Sequence, residues 1–173
     1  MLKKELEILI KPIITNGFKY KKEIKGFSWT KTLSDKKEGI IIGYRTFYSN
    51  MFELYCPYIY IYFDRVEDIL EKFLKKYNVE NIWGLPSTIH STLRNIKGIN
   101  YGTLETRVND ELNFQIVADE VKKIVEYGAM PFFEKYQMLE SVNEEINKRN
   151  DDNINDFLSG IIRLKVPLIN QLK

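Results

Sequence analysis

The sequence predicts one α+β domain, in which an antiparallel sheet of about five strands carries an N-terminal helix and C-terminal helices mainly on one face. Apolar residues recur with period two between residues 27 and 63, which is typical of strands that bury one face. On both sides of that segment they recur every three or four positions, which is typical of amphipathic helices. A chain of 173 residues is within the size of a single domain and buries roughly 70% of its unfolded surface.

The N-terminal segment predicts a helix that ends in a left-handed turn. Its apolar stripe consists of Leu2, Leu6, Leu9, Ile10 and Ile13. Asn16 and Gly17 follow the stripe and are typical of the left-handed residue that ends a helix. Pro12 removes one backbone donor, so we expect the helix to kink or to end a turn early.

Three strands with short connections follow, over residues 27–33, 39–47 and 51–63, and they predict an antiparallel meander. In the first of them Phe27 and Trp29 alternate with serine and threonine, so one side packs inward. Because Pro57 cannot donate to a neighbouring strand, it predicts a bulge or an edge position in the third.

The stretch ELYCPYIYIYFD places Tyr58, Tyr60 and Tyr62 on one face of that strand and the isoleucines between them on the other. We expect the isoleucine face to pack inward. Three roles are open for the tyrosine face: it is covered by helices, it is an interface for a protein or ligand, or it stacks the bases of a nucleic acid.

The rest of the chain is predicted to be largely helical. Asp64 is a natural N-cap for a helix over residues 66–77. Short strands are expected at residues 87–94 and 103–108, followed by a helix that ends at Gly128. Pro131 is expected in the first turn of the next helix. Beyond residue 146 we expect a polar loop and a C-terminal helical segment, within the single domain 1–173.

Composition and motifs exclude several chemistries. The single cysteine, Cys56, rules out an internal disulfide and a multi-cysteine metal site. No phosphate-binding loop, dinucleotide fingerprint or zinc-binding spacing is found, so we expect neither a cofactor nor a metal, and we assign no catalytic residue. No apolar run is long enough to span a bilayer, and charges interrupt the apolar N-terminus, so we expect a cytoplasmic protein without a membrane partner.

The net charge of +2 is unevenly distributed, since residues 1–37 hold ten lysines against four acids. This basic segment either forms a solvated surface or attracts an anion or a nucleic acid. A catalytic pair between the only histidine and Cys56 is disfavoured. The residue after Cys56 is a proline, and no glycine-rich turn flanks the cysteine. The candidate binding residues are Tyr58, Tyr60, Tyr62, Arg45 and His90.

The order of the segments NGFKYKK, FSW, NIWGLP and VKKIVEYGAMPFFEKYQMLESV resembles a bacterial domain of unknown function, family four-three-zero-four. The matching positions are Gly17-Phe18-Lys19 and the residues from Met130 to Tyr136. The resemblance covers residues 1–146. It implies a fold and no reaction, because the family carries no assigned activity or site residues.

We therefore expect a bacterial, non-enzymatic protein- or ligand-binding module, such as one that neutralises a toxin or regulates a partner. A protein partner or a second copy of the chain is the expected ligand, and nucleic acid is disfavoured. The alternative is a nucleic-acid-binding protein or an enzyme that uses the basic N-terminal segment and His90.

Overall fold

The computed structural model describes residues 2–48, 51–77, 87–92, 111–148 and 171–172. Its strands are β1 (Lys19–Glu23), β2 (Gly26–Thr32), β3 (Lys36–Tyr48), β4 (Met51–Phe63) and β5 (Ile89–Ser91). Its helices are α1 (Leu2–Ile10), α2 (Asp64–Lys76), α3 (Glu111–Ile124), α4 (Met130–Lys135) and α5 (Leu139–Lys148). A 3₁₀ turn (Lys11–Ile13) follows α1, and a π-helical turn (Val125–Ala129) joins α3 to α4.

The described strands form one sheet in the order β1-β2-β3-β4-β5, so the α+β class and the antiparallel meander are confirmed. The limits of β4 are those predicted. β1 was not predicted, because its sequence KYKKE has no apolar alternation. It is a strand because it pairs with β2, in a register that sets Tyr20 opposite Trp29. The expected strand at residues 103–108 lies outside the described residues.

The chain forms two compact units. The first unit comprises residues 1–31, 39–58 and 92–132. The second unit comprises residues 32–38, 59–91 and 133–173. Both β3 and β4 contribute residues to each unit.

In the first unit, α1 packs against α3 and against the hairpin of β1 and β2. Leu6 and Ile10 of α1 are fully buried, as is Trp29, whose indole N–H donates to the carbonyl oxygen of Lys11 at 3.4 Å. The α-helix ends at Ile10, one turn before its apolar stripe ends, because Pro12 cannot supply a helical donor. Gly17 has φ +83°, which confirms the left-handed turn.

A close contact between Gly43 and the ring of Tyr55 joins the middle of β3 to β4. A Cβ atom on Gly43 would lie 2.5 Å from the ring of Tyr55, so only glycine lets this ring rest on the backbone of β3. The guanidinium of Arg45 lies 5.3 Å from the centre of the same ring.

Leu54 is fully buried and Tyr55 half-buried, whereas Pro57 is buried and Tyr58 half-buried. The bulge or edge position that Pro57 predicts remains a prediction, since β4 runs as one strand from Met51 to Phe63.

In the second unit, α2 begins directly after β4. Asp64 is the first residue of α2 and not its N-cap, which is Phe63. The backbone N–H of Asp64 donates to the carbonyl oxygen of Asp35 at 3.0 Å. The start of the helix is therefore held by the backbone of the residue before β3 and not by a side-chain cap. The negative charge of the Asp64 carboxylate still stabilises the helix, because it lies at the positive, N-terminal end of the helix dipole.

The later helices differ from prediction at two points. Ile116 is 48% exposed, while its stripe neighbours Val117 and Val121 are buried. Gly128 does not end a helix, because the π-helical turn carries the chain on into α4. Pro131 does lie in the first turn of α4, as predicted. Of the C-terminal segment beyond residue 148, only residues 171–172 are described, and they are helical.

A buried ion pair lies at the start of β3. Lys36 and Glu38 are two residues apart, so their side chains share one face of the strand, and their charged atoms are 2.9 Å apart. The two side chains are only 5% and 7% exposed. The ammonium of Lys36 also lies 5.9 Å from the ring centre of Phe63. Two charges so far from water depend on each other, because neither is compensated by solvent.

We predict that Lys36→Met lowers the free energy of unfolding by about 3–5 kcal/mol, because it leaves the carboxylate of Glu38 buried and uncompensated. The double variant Lys36→Met/Glu38→Leu should recover most of this loss. Urea unfolding followed by tryptophan fluorescence measures both.

The matched control is Lys75→Met, which breaks the exposed pair of Lys75 with Glu71 and should leave the free energy of unfolding nearly unchanged. A double variant as unstable as Lys36→Met would contradict the interpretation, since the loss would then be one of packing.

Candidate binding site on the sheet face

The two faces of the outer half of β4 differ in burial as the sequence predicts. Ile59 and Ile61 are fully buried. Tyr58, Tyr60 and Tyr62 are each half-buried, so part of every tyrosine side chain reaches the surface. The tyrosine face is therefore partly covered and partly open at these three residues.

His90 lies beside the central tyrosine. In the antiparallel pairing of β4 with β5, Tyr60 is directly opposite His90, and Ile61 is opposite Ile89. Directly opposite residues have Cβ atoms about 4.5–5.5 Å apart, so the side chains of Tyr60 and His90 are neighbours on one face of the sheet. His90 is half-buried, like its partner.

Lys37 completes this group, although the sequence analysis did not single it out. Its ammonium lies 4.6 Å from the ring centre of Tyr62 and 3.8 Å from a carboxylate oxygen of Asp64. Its side chain remains 46% exposed. We call Lys37, Tyr60, Tyr62 and His90 the tyrosine patch; all four belong to the second unit.

The other two predicted binding residues belong to the first unit. Arg45 forms an ion pair with Glu53 at 2.6 Å, in addition to its contact with the ring of Tyr55. Tyr58 is the last residue of β4 in that unit. The structure therefore groups Tyr60, Tyr62 and His90 in one unit, and it places Arg45 in a separate set of contacts.

A buried network based on Thr88 holds β5, and with it His90, in place. The Thr88 hydroxyl donates to a carboxylate oxygen of Glu67 at 2.8 Å and accepts from the backbone N–H of Phe63 at 3.0 Å. The backbone N–H of Thr88 donates to the carbonyl oxygen of Ile61 at 2.8 Å. One threonine thus ties β5 to the end of β4 and to α2.

The surroundings of Tyr62 keep its phenol neutral. Burial raises the pKa of Tyr62 above its ordinary value, and the carboxylates of Glu67, Asp68, Asp64 and Glu71 raise it further. The phenol therefore keeps its proton well beyond neutral pH. To a ligand, the tyrosine patch offers hydroxyl and ammonium groups as hydrogen-bond donors and two rings as apolar contact area. The carboxylates at the start of α2 lie beside it.

The chain matches no protein-family model, and no curated protein or solved structure is significantly similar to it. In the part of the chain that the structure describes, no three His, Cys, Asp or Glu side chains are grouped so that they could hold a metal ion. Within the same ranges, no helix is both long and apolar enough to cross a membrane.

We predict that Thr88→Val lowers the free energy of unfolding by about 1–3 kcal/mol, because Glu67 and the N–H of Phe63 both lose a buried hydrogen bond. Urea unfolding measures the loss, and hydrogen exchange should show faster exchange in β5. The control is Ser34→Ala, which removes an exposed hydroxyl bond to Asp35 and should change stability by less than about 0.5 kcal/mol. Equal stability of the two variants would contradict the anchoring role.

A second prediction concerns alkaline pH. Because the pKa of Tyr62 is raised in the folded state, the folded protein holds a proton that the unfolded chain loses above about pH 10. Stability is therefore lost as the pH rises from 10 through the folded pKa. We expect the free energy of unfolding to fall less steeply with pH in Tyr62→Phe than in the natural protein, in urea unfolding series between pH 8 and 11. Parallel slopes would refute the assignment.

Proposed function

We propose that the protein is a non-enzymatic binding module that contacts a protein partner through the tyrosine patch. The observation that carries the proposal is the half-exposure of Tyr60 and Tyr62 on a strand whose opposite face is fully buried. Tyrosine offers a large contact area and a hydroxyl donor for the loss of few rotamers, so it is enriched in protein interfaces.

The charges around the patch support a protein partner over a nucleic acid. Stacking of a base requires an open ring face, and the ammonium of Lys37 already covers Tyr62. The four carboxylates that raise the pKa of Tyr62 also make the local potential unfavourable for phosphate. A partner surface with an apolar centre and neighbouring Lys or Arg side chains is the complement of this arrangement.

On this proposal the partner is a bacterial cytoplasmic protein, and binding either neutralises it or regulates it. Kinship with the family four-three-zero-four is supported by Gly17-Phe18-Lys19 and by the segment from Met130 to Tyr136.

The test combines photocrosslinking with a quantitative pull-down from the cells that make the protein. A photoreactive amino acid in place of Tyr62 should give one discrete cross-linked protein, and the same group in place of Tyr127, which is 63% exposed on the π-helical turn, should not. The affinity-tagged double variant Tyr60→Ser/Tyr62→Ser should recover the cross-linked partner at least tenfold less than the natural protein. The control variant Tyr127→Ser should recover it undiminished.

Circular dichroism and urea unfolding must first show that the double variant is folded. Equal recovery by all three proteins would refute the tyrosine patch as the interface. Cross-linking of a second copy of the chain, together with a dimer mass in solution, would replace a separate partner with a homodimer.

A further inference from the structure

A second surface, in the first unit and separate from the tyrosine patch, has the properties of a binding groove. It is an open groove of about 760 Å³ where α1 and its 3₁₀ turn meet the start of β1. The exposed side chains of Ile8 and Pro12 and the buried Ile14 give it an apolar side. Ile8 is 70% exposed and lines the groove together with the exposed Pro12, so the two side chains form one small apolar patch.

Two lysines lie over the aromatic rings of the groove. The ammonium of Lys11 is 5.6 Å from the ring centre of Tyr20, and that of Lys31 is 5.8 Å from the ring centre of Phe18. Gly17 has no side chain, and the stem of Lys31 passes 3.6 Å from the position that its Cβ would occupy. Lys31 is therefore held at the rim of the groove, and Lys11 is part of its wall.

Two acids of this region are paired with lysines. Glu7 forms an ion pair with Lys22, which holds the pKa of Glu7 below its usual value. Glu23 is paired with Lys21 at 3.1 Å. Two lysines, Lys11 and Lys22, act on the single carboxylate of Glu7, and Lys31 lies over the ring of Phe18. The groove therefore carries an excess of positive charge beside an apolar surface.

We propose that this groove binds an acidic peptide segment, with an apolar side chain against Ile8 and Pro12 and carboxylates at Lys11 and Lys31. Single-stranded nucleic acid fits less well, because its bases need open ring faces. Tyr20 is covered by Lys11 on one side and packs against Trp29 at 5.5 Å between ring centres. A carboxylate, in contrast, approaches an ammonium without displacing it from its ring.

The experiment uses fluorescence anisotropy and a fluorescein-labelled nine-residue peptide in which Glu and Asp surround two Leu and one Phe. Three further probes separate the contributions: the same peptide with Lys for every acid, the same peptide with Ala for every apolar residue, and a nine-nucleotide oligo-dT. We expect the acidic apolar peptide to bind at least tenfold more tightly than each of the other three. Its affinity should fall as salt rises from 50 to 300 mM.

The variants Lys11→Glu/Lys31→Glu and Ile8→Ser should each weaken the acidic peptide, the charge reversal by about tenfold or more. All three positions are at least partly exposed, so the variants should fold. The control is Lys25→Glu, at the turn between β1 and β2, which matches the charge change of each single reversal, Lys11→Glu and Lys31→Glu. Seven residues of extended chain separate it from Phe18, roughly 20 Å, which is beyond the screening length at physiological salt. Its binding should be unchanged.

Three outcomes would overturn the inference. The first is that the acidic apolar peptide does not bind at all. The second is that oligo-dT binds as tightly, which would make the groove a nucleic-acid site. The third is that Lys25→Glu weakens binding as much as Lys11→Glu or Lys31→Glu alone, which would mean that net charge and not the groove attracts the peptide.

Discussion

The burial of one face of β4 is the constraint on which the tyrosine patch depends. Each fully buried isoleucine contributes roughly 1.5–3 kcal/mol by leaving water, and Ile59 and Ile61 are both fully buried. Because side chains alternate along a strand, a slip of one residue would exchange this face for the tyrosine face and lose that energy. The core therefore decides that Tyr60 and Tyr62 lie on the other side, and it holds them there on a rigid strand.

Buried polar groups in the second unit also help to hold its strands in place. Lys36 and Glu38 neutralise each other, and Glu67 accepts from Thr88, so these side chains add directional contacts where isoleucines supply only apolar area. The surface charges are organised differently. Lys11, Lys31 and Lys37 lie over aromatic rings, where an ammonium keeps its contact with water while its stem covers apolar carbon.

Much of the fold was predictable because most of its elements show their own period. The bounds of β4 follow from alternation alone, and Gly17 from the need for a left-handed turn. Properties that depend on pairing were not predictable. β1 has no alternation and exists through β2, and the proximity of His90 to Tyr60 is a matter of register between strands that are far apart in sequence. The contact of Lys37 with Tyr62 likewise requires the pairing of β3 with β4, which a single strand's pattern does not contain.

The contact of Tyr55 with Gly43 has a consequence for how this chain can change during evolution. Any side chain at position 43 would collide with the ring, while loss of the ring would leave the glycine backbone uncovered and the guanidinium of Arg45 without its aromatic neighbour. Neither position can drift by itself. Related sequences should therefore show the two residues varying together, with an aromatic residue at position 55 wherever position 43 is glycine and a smaller residue wherever it is not.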